Sequence, residues 1–401
     1  MRSHEPASHY RYVVVAAVFL IMAVIWGFFA TFGVFFGSLI EDFGWTRAFT
    51  SGASSVRDLV FGAALILTAR MADRFGPRIV VSFTALLFGA GYFLMSQIEA
   101  PWQFYLYYGI IISCGMSGYV AMLSIVAQWF ERRRGLMTAV CSSGVGIGTM
   151  VMPPIAAGLI ASRGWRTSYV ILAVLGSVLM LIAAQFLKSS NWQSHDPSSS
   201  QNNGASATAL SLRQALCTGA FWQLSALYFF FLYVMLTVMV HVVMYAIGSG
   251  IAPGSAANIL AIVGGMTVLG MNGSGAAADR IGNRTAIMIC FILLTISLIL
   301  LMTAGSTGAF YFFAVLIGLP YGGMQVLFSP AVAALFGLGS HGVILASTVF
   351  FGSLGAAAGP FVSGYIFDIA GSYQWAFRIC FIMTAASVVL AFRLKPCRVH
   401  L

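Results

Sequence analysis

From Tyr12 onward the chain is a succession of apolar runs, each long enough to cross a lipid bilayer and separated by short polar turns. A membrane-crossing helix needs about 20 such residues. Lipid offers no partner to backbone N–H and C=O groups, so the helix must bond them to itself. On that basis the sequence predicts helices over 12–38, 51–72, 79–98, 102–129, 135–160, 166–187, 217–248, 254–278, 285–304, 307–337, 341–367 and 373–393. Strands of a membrane barrel would alternate apolar and polar residues, which these runs do not. Charge agrees with this reading. Only 7% of the 401 residues are charged, against about 25% in an ordinary globular protein. That excludes a soluble enzyme, a nucleic-acid binder and a disordered chain. The expected fold is an all-α integral membrane protein of twelve transmembrane helices.

One connection differs from the others. Residues 188–215 read KSSNWQSHDPSSSQNNGASATALSLRQA, a composition rich in Ser, Asn and Gln that suits a flexible linker. It divides the helices six and six, giving an N-terminal bundle over 1–187 and a C-terminal bundle over 216–401. The net charge of +10 has a topological explanation. With the N-terminus placed inside, fifteen Lys and Arg fall on inner segments and four (Arg47, Arg163, Arg166 and Arg378) on outer ones. Positive residues stay on the cytoplasmic side, so both termini are expected there. The six cysteines are scattered and form no CxxC pair, so neither a disulfide framework nor a metal site is expected. The first apolar run outlasts a signal-peptide core and is read as the first span.

The two halves repeat a motif. After the second helix stands Asp73-Arg74-Phe75-Gly76-Pro77-Arg78, and after the eighth Asp279-Arg280-Ile281-Gly282-Asn283-Arg284. The two Asp-Arg-x-Gly-x-Arg cores lie 206 residues apart, in matching places of the two halves. Internal repeats of this kind build many transporters. A carboxylate at a helix end can hold a neighbouring helix dipole or Arg, glycine makes the tight turn, and the arginines anchor at anionic lipid. With the helix count and the central linker, this pair of motifs resembles the major facilitator superfamily over nearly the whole chain. The resemblance implies two pseudo-symmetric six-helix bundles that rock about one central site. It also implies a functional monomer with no prosthetic group. The repeated Asp-Arg-x-Gly-x-Arg turns would then gate the motion.

Further runs narrow the resemblance. Gln128-Trp129-Phe130-Glu131-Arg132-Arg133-Arg134-Gly135 is followed by Ser143-Gly144-Val145-Gly146-Ile147-Gly148 and by Pro153-Pro154. The C-terminal half adds Gly355-Ala356-Ala357-Ala358-Gly359-Pro360 and a run from Gly364 through Asp368 to Tyr373. These are similar to the monocarboxylate transporter family and its bacterial relatives, among which lactate and oxalate carriers are found. Small residues let helices approach closely, and proline lets a helix bend. That family places a Lys in helix 1 and an Asp and an Arg in helix 8. The matching positions here, at about Ala30, Thr267 and Met271, carry no charge.

Charge inside a membrane costs about 2.5–3.5 kcal/mol on insertion scales, so intramembrane ions mark function. Arg57 and Asp58 lie within the second span. Arg57 precedes Ala69 by 12 residues, which is about 18 Å of helix rise and puts it at middle-to-outer depth. Neighbouring residues point about 100° apart on a helix, so the two are not expected to face one spot. Arg57 can supply the positive charge for an anionic substrate, or either ion can belong to an interhelical pair. Asp58 can instead carry a coupling proton. His241 stands midway along the seventh helix, one turn before Tyr245, where it can bind a carboxylate, carry a proton, or simply bond across the bundle. The resemblance puts helices 1, 4, 7 and 10 around the cavity. Tyr119 in helix 4, and Tyr321 and Gln325 spaced i, i+4 in helix 10, are then candidate lining residues, as is Asn272 in helix 8.

The expectation is a secondary active transporter, not an enzyme, in the bacterial inner membrane. It would carry a small organic anion such as a monocarboxylate, by proton symport or by exchange. The rival reading is an exporter of hydrophobic or cationic compounds, with Asp58 as the only embedded acid to serve it. Membrane lipids and a small-molecule substrate are the expected partners, and nucleic acid is not.

Overall fold

The computed structural model describes residues 10–118, 134–187, 212–337 and 341–394. Among them the regular structure is helical, with no strand. Helices α1 (Tyr10–Phe43), α2 (Arg47–Phe75) and α3 (Pro77–Met95) come first. The described part of α4 runs as three joined pieces, Pro101–Phe104, a π-helical Tyr105–Ile112, and Ser113–Met116. The run Arg134–Gln185 is broken by Gly164 at φ 75° and ψ 163°, which separates α5 (134–163) from α6 (165–185). A single turn at Leu212–Leu216 precedes α7 (Gly219–Gly248). Then come α8 (Pro253–Ile281), α9 (Asn283–Thr303), α10 (Thr307–Phe336), α11 (His341–Ala370) and α12 (Gln374–Arg393). Ten described segments are long and apolar enough to cross a membrane, and one of them, Val140–Gln185, contains the Gly164 break.

Within the described residues the predicted spans fall on these helices, with one systematic difference, and residues 119–129 of the span 102–129 lie outside the described residues. The sequence places the end of the first span at 38 and the start of the second at 51, while α1 reaches Phe43 and α2 begins at Arg47. Hydropathy marks where lipid ends. Backbone hydrogen bonding continues past that level, and Gly44, at φ 66°, makes the turn. Of the predicted linker, 188–211 lies outside the described residues, and its last residues belong to the turn at Leu212–Leu216.

The apolar side chains are not confined to the interior. Leu67, Ile79, Val174, Leu269, Ile369 and Ile382 are each at least 60% exposed, a surface that water would not tolerate and lipid requires. Polar side chains inside the helices close on their own backbone. Thr149 donates to Val145 O, Thr267 to Val263 O and Thr348 to Ile344 O, each four residues back. Glycines bring backbones together. A Cβ on Gly148 would stand 2.0 Å from Ala23 O on α1, and one on Gly322 would stand 2.0 Å from Thr267 O on α8.

The described residues cluster into two compact units. One contains the described residues of 1–31 and 56–195, and the other those of 32–55 and 196–401. The outer parts of α1 and α2 therefore pack with the later helices.

The repeated turn has the same build in both units. Gly76 has φ 84° and ψ 150°, and Gly282 has φ 82° and ψ 151°. This is a backbone region that residues with a Cβ avoid at a cost of about 1–3 kcal/mol. Gly76→Ala and Gly282→Ala should each lose about that much stability, read as a lower unfolding temperature of the detergent-solubilised protein. In the first unit Arg78 donates to Gln185 Oε1 at the end of α6. In the second, Arg284 donates to Ala391 O (3.3 Å) and to Phe392 O at the end of α12. Both ties reach 107 residues along the chain, from Arg78 to Gln185 and from Arg284 to Ala391. The repeat is thus structural as well as sequential. Arg74, Asp279 and Arg280 are exposed, and Asp73 lies on α2 with its side chain outside the described residues.

Candidate functional site: two buried polar clusters

In the first unit, Arg57 and Asp58 are 2% and 8% exposed. Arg57 Nε and Nη2 both donate to Asp58 Oδ1, at 3.0 and 2.9 Å. The expectation that the two residues point to different places is corrected here. A helix separates neighbouring Cβ atoms by about 100°, but the flexible arginine stem bends back along the helix and returns the guanidinium to the next side chain. The pair is therefore within α2 rather than between helices. Other helices complete the cradle. Arg57 Nη1 donates to the Tyr108 hydroxyl of α4, and the guanidinium carbon lies 3.9 Å from the centroid of the Phe29 ring on α1. Ser113 Oγ donates to Arg57 O at 2.7 Å. A cation over an aromatic face and a hydrogen-bonded carboxylate together hold a charge that apolar surroundings would otherwise reject. Asp58 Oδ2 is buried and accepts no hydrogen bond from the described residues. The cluster thus pairs a fully engaged cation with an acid that has one acceptor atom to spare.

In the second unit, His241 on α7 is completely buried. One ring nitrogen, Nε2, lies 2.9 Å from Pro360 O on α11, and Nδ1 lies 3.0 Å from the Tyr373 hydroxyl. A carbonyl only accepts, so Nε2 carries a proton and donates it to Pro360 O. In the neutral ring Nδ1 then accepts from Tyr373. Arg47 Nη1 donates to the same hydroxyl at 2.6 Å. The Tyr373 hydroxyl thus accepts from Arg47 and donates to His241. Phe36 meets His241 edge to face at 5.2 Å between centroids. Both imidazole nitrogens are engaged by the protein in this structure. Tyr245, one turn on, has its ring 6.3 Å from that of Tyr373 and accepts a hydrogen bond from Gln374 Nε2 at 3.2 Å.

The other sequence candidates are placed as follows. Tyr321 is buried on α10, 6.3 Å from the Phe231 ring, with Gln325 half-buried one turn on. Asn272 is exposed on α8 and donates to Val268 O of its own helix at 2.8 Å. Tyr119 lies outside the described residues. Sequence reasoning missed Tyr108, Phe29, Arg47, Asp368 and Tyr373. Asp368 and Tyr373 stood in a quoted run, and Arg47 was counted only for its side of the membrane. Nothing in the local pattern pairs Arg47 with residues more than three hundred positions away.

Long apolar helices, a repeated Asp-Arg-x-Gly-x-Arg turn with matching ties, and charged groups held inside the spans define a multi-pass membrane transporter for small molecules. The chain belongs to the Major Facilitator Superfamily, whose family model matches residues 18–276 and 250–400. Among its relatives is monocarboxylate transporter 13 of Rattus norvegicus, 24% identical over 97% of this chain and 90% of that one. Another is an uncharacterized transporter of the same superfamily from Bacillus subtilis, 21% identical over 90% of this chain and 89% of that one. Among solved structures, a bacterial homolog of the human lysosomal transporter Spinster, inward-facing and occupied, superposes with a TM-score of 0.78 at 15% identity, covering 97% of each chain.

Proposed function

We propose that this protein moves a small organic anion, such as a monocarboxylate, across the bacterial inner membrane by alternating access, driven by proton symport or by exchange. The observation that carries the reading is Arg57, a buried cation kept among apolar helices on an aromatic ring and paired with Asp58 of its own helix. An intramembrane cation of this kind is costly unless a function retains it. The names of the relatives that span the whole chain support the same substrate class. Arg57 acts as the counter-charge, Asp58 or His241 carries the coupled proton, and Tyr119, Asn272, Tyr321 and Gln325 line the path. Two six-helix halves, 1–187 and 216–401, joined by the 188–215 linker, rock about that path. The turns Asp73-Arg74-Phe75-Gly76-Pro77-Arg78 and Asp279-Arg280-Ile281-Gly282-Asn283-Arg284 gate it. The protein works as a monomer with both termini cytoplasmic.

One observation favours a second reading. Asp58 Oδ2 is a buried carboxylate oxygen with no hydrogen-bond donor among the described residues, and an exporter of cationic compounds needs an embedded acid. Flux in proteoliposomes with an imposed pH gradient separates the two. Under the first reading, saturable uptake of a lactate-like anion is driven by the gradient and lost in Arg57→Gln. Under the second, that uptake is missing from the parent, and binding of a cationic dye survives Arg57→Gln but collapses in Asp58→Asn.

A further inference from the structure

At the end of α2 opposite the repeated turn, one carboxylate holds a helix start. Asp368, near the end of α11, accepts the Arg47 N–H on Oδ1 at 2.9 Å and the Ala48 N–H on Oδ2 at 2.7 Å. These are among the first N–H groups of α2, which have no partner within the helix, and a negative charge there also meets the positive end of the helix dipole. The Arg47 side chain turns the other way. Its guanidinium carbon lies 3.6 Å from the centroid of Phe367, and Nη1 donates to Tyr373, which in turn donates to buried His241. Packing follows the same line. A Cβ on Gly364 of α11 would lie 2.6 Å from Ser51 Oγ and 2.7 Å from Arg47 O, and Ser55 Oγ donates to Ala357 O. These contacts join the segment 32–55 to the later helices, while the rest of α1 and α2 belongs to the other compact unit.

We propose that Asp368, Arg47 and Tyr373 form a latch that keeps the start of α2 on α11 and so holds the transport path shut at that end. Alternating access requires one end of the path to part while the other closes. Here the contact consists of two backbone caps, one aromatic-seated cation and a hydroxyl relay, all formed between side chains and helix ends that can separate without breaking a helix. Asp368 and Tyr373 are therefore positioning residues for transport: they set how often that end opens. The inference rests on the alternating-access part of the proposed function and on none of its substrate assignment.

The test uses Ser51→Cys as reporter in the full chain with the other cysteines replaced. Ser51 is fully buried, and the exchange of hydroxyl for thiol is nearly isosteric. A membrane-impermeant maleimide reaches it only when α2 leaves α11. Asp368→Ala should raise the labelling rate at least about tenfold, which corresponds to about 1.4 kcal/mol. Tyr373→Phe, which keeps the ring and loses only the relay hydroxyl, should raise it severalfold. A parallel chain retaining only Cys141, fully buried in the other unit, should label no faster in either variant. Unchanged Ser51→Cys labelling in both variants overturns the latch, and so does an equal rise at Cys141, which would mean general loosening. If Asp368→Ala does not fold, Tyr373→Phe decides alone. No substrate is present, so the result is independent of which compound is carried.

Discussion

Asp58→Ala lowers the unfolding free energy by about 3–5 kcal/mol, because it leaves the Arg57 guanidinium buried without its anion. Arg57 is 2% exposed, and two of its donors point at Asp58 Oδ1. With the carboxylate gone those donors lose the anion they point at, while Tyr108 and Phe29 remain as neutral partners. The companion Arg57→Met/Asp58→Leu variant removes both charges and should regain most of the stability, since apolar replacement of a buried pair is often neutral or better. The two readouts then separate structure from function. Thermal unfolding in detergent should recover in the double variant, whereas anion uptake in proteoliposomes should stay lost. A double variant that transports like the parent would remove Arg57 from the role of counter-charge and leave it a packing element.

Gly148→Ala and Gly355→Ala each cost about 1–3 kcal/mol, the usual range for overpacking a tight contact. A Cβ at Gly148 would stand 2.0 Å from Ala23 O, and one at Gly355 would stand 2.3 Å from Phe229 O. The atom met in each case is backbone of the facing helix, so no side chain can rotate away and the helix pair must separate. Gly158 on the same helix as Gly148 supplies the control, because an added Cβ there meets nothing within 4 Å. Gly158→Ala should be neutral or stabilising by up to about 1 kcal/mol through helix propensity. Folded yield and unfolding temperature of the three variants check the pattern. Equal behaviour at all three positions would mean that close approach at Gly148 and Gly355 carries no packing energy.

Much of the fold is legible along the chain. Apolar runs became helices because lipid forces each one to bond its own backbone, and the two Asp-Arg-x-Gly-x-Arg turns became turns because Gly76 and Gly282 alone accept their backbone angles. The small-residue runs around Gly148 and Gly355 also behave as their composition suggests. The polar sites were less legible. Arg57 and Asp58 stood out as ions inside a span, yet their mutual contact did not, since helical spacing describes Cβ directions and not the reach of an arginine. His241 stood out as well, but its partners Pro360 and Tyr373 are 119 and 132 residues away.

Hydropathy, charge bias and the internal repeat therefore decide the class, the helices and the ends of the turns, because each depends on one residue meeting its own surroundings. Tertiary structure decides which polar group answers which. Arg47 meets Asp368 across 321 positions, and Arg284 meets Ala391 across 107. Such pairs form only when packing brings two helix ends within the length of a side chain, and no local pattern encodes that distance.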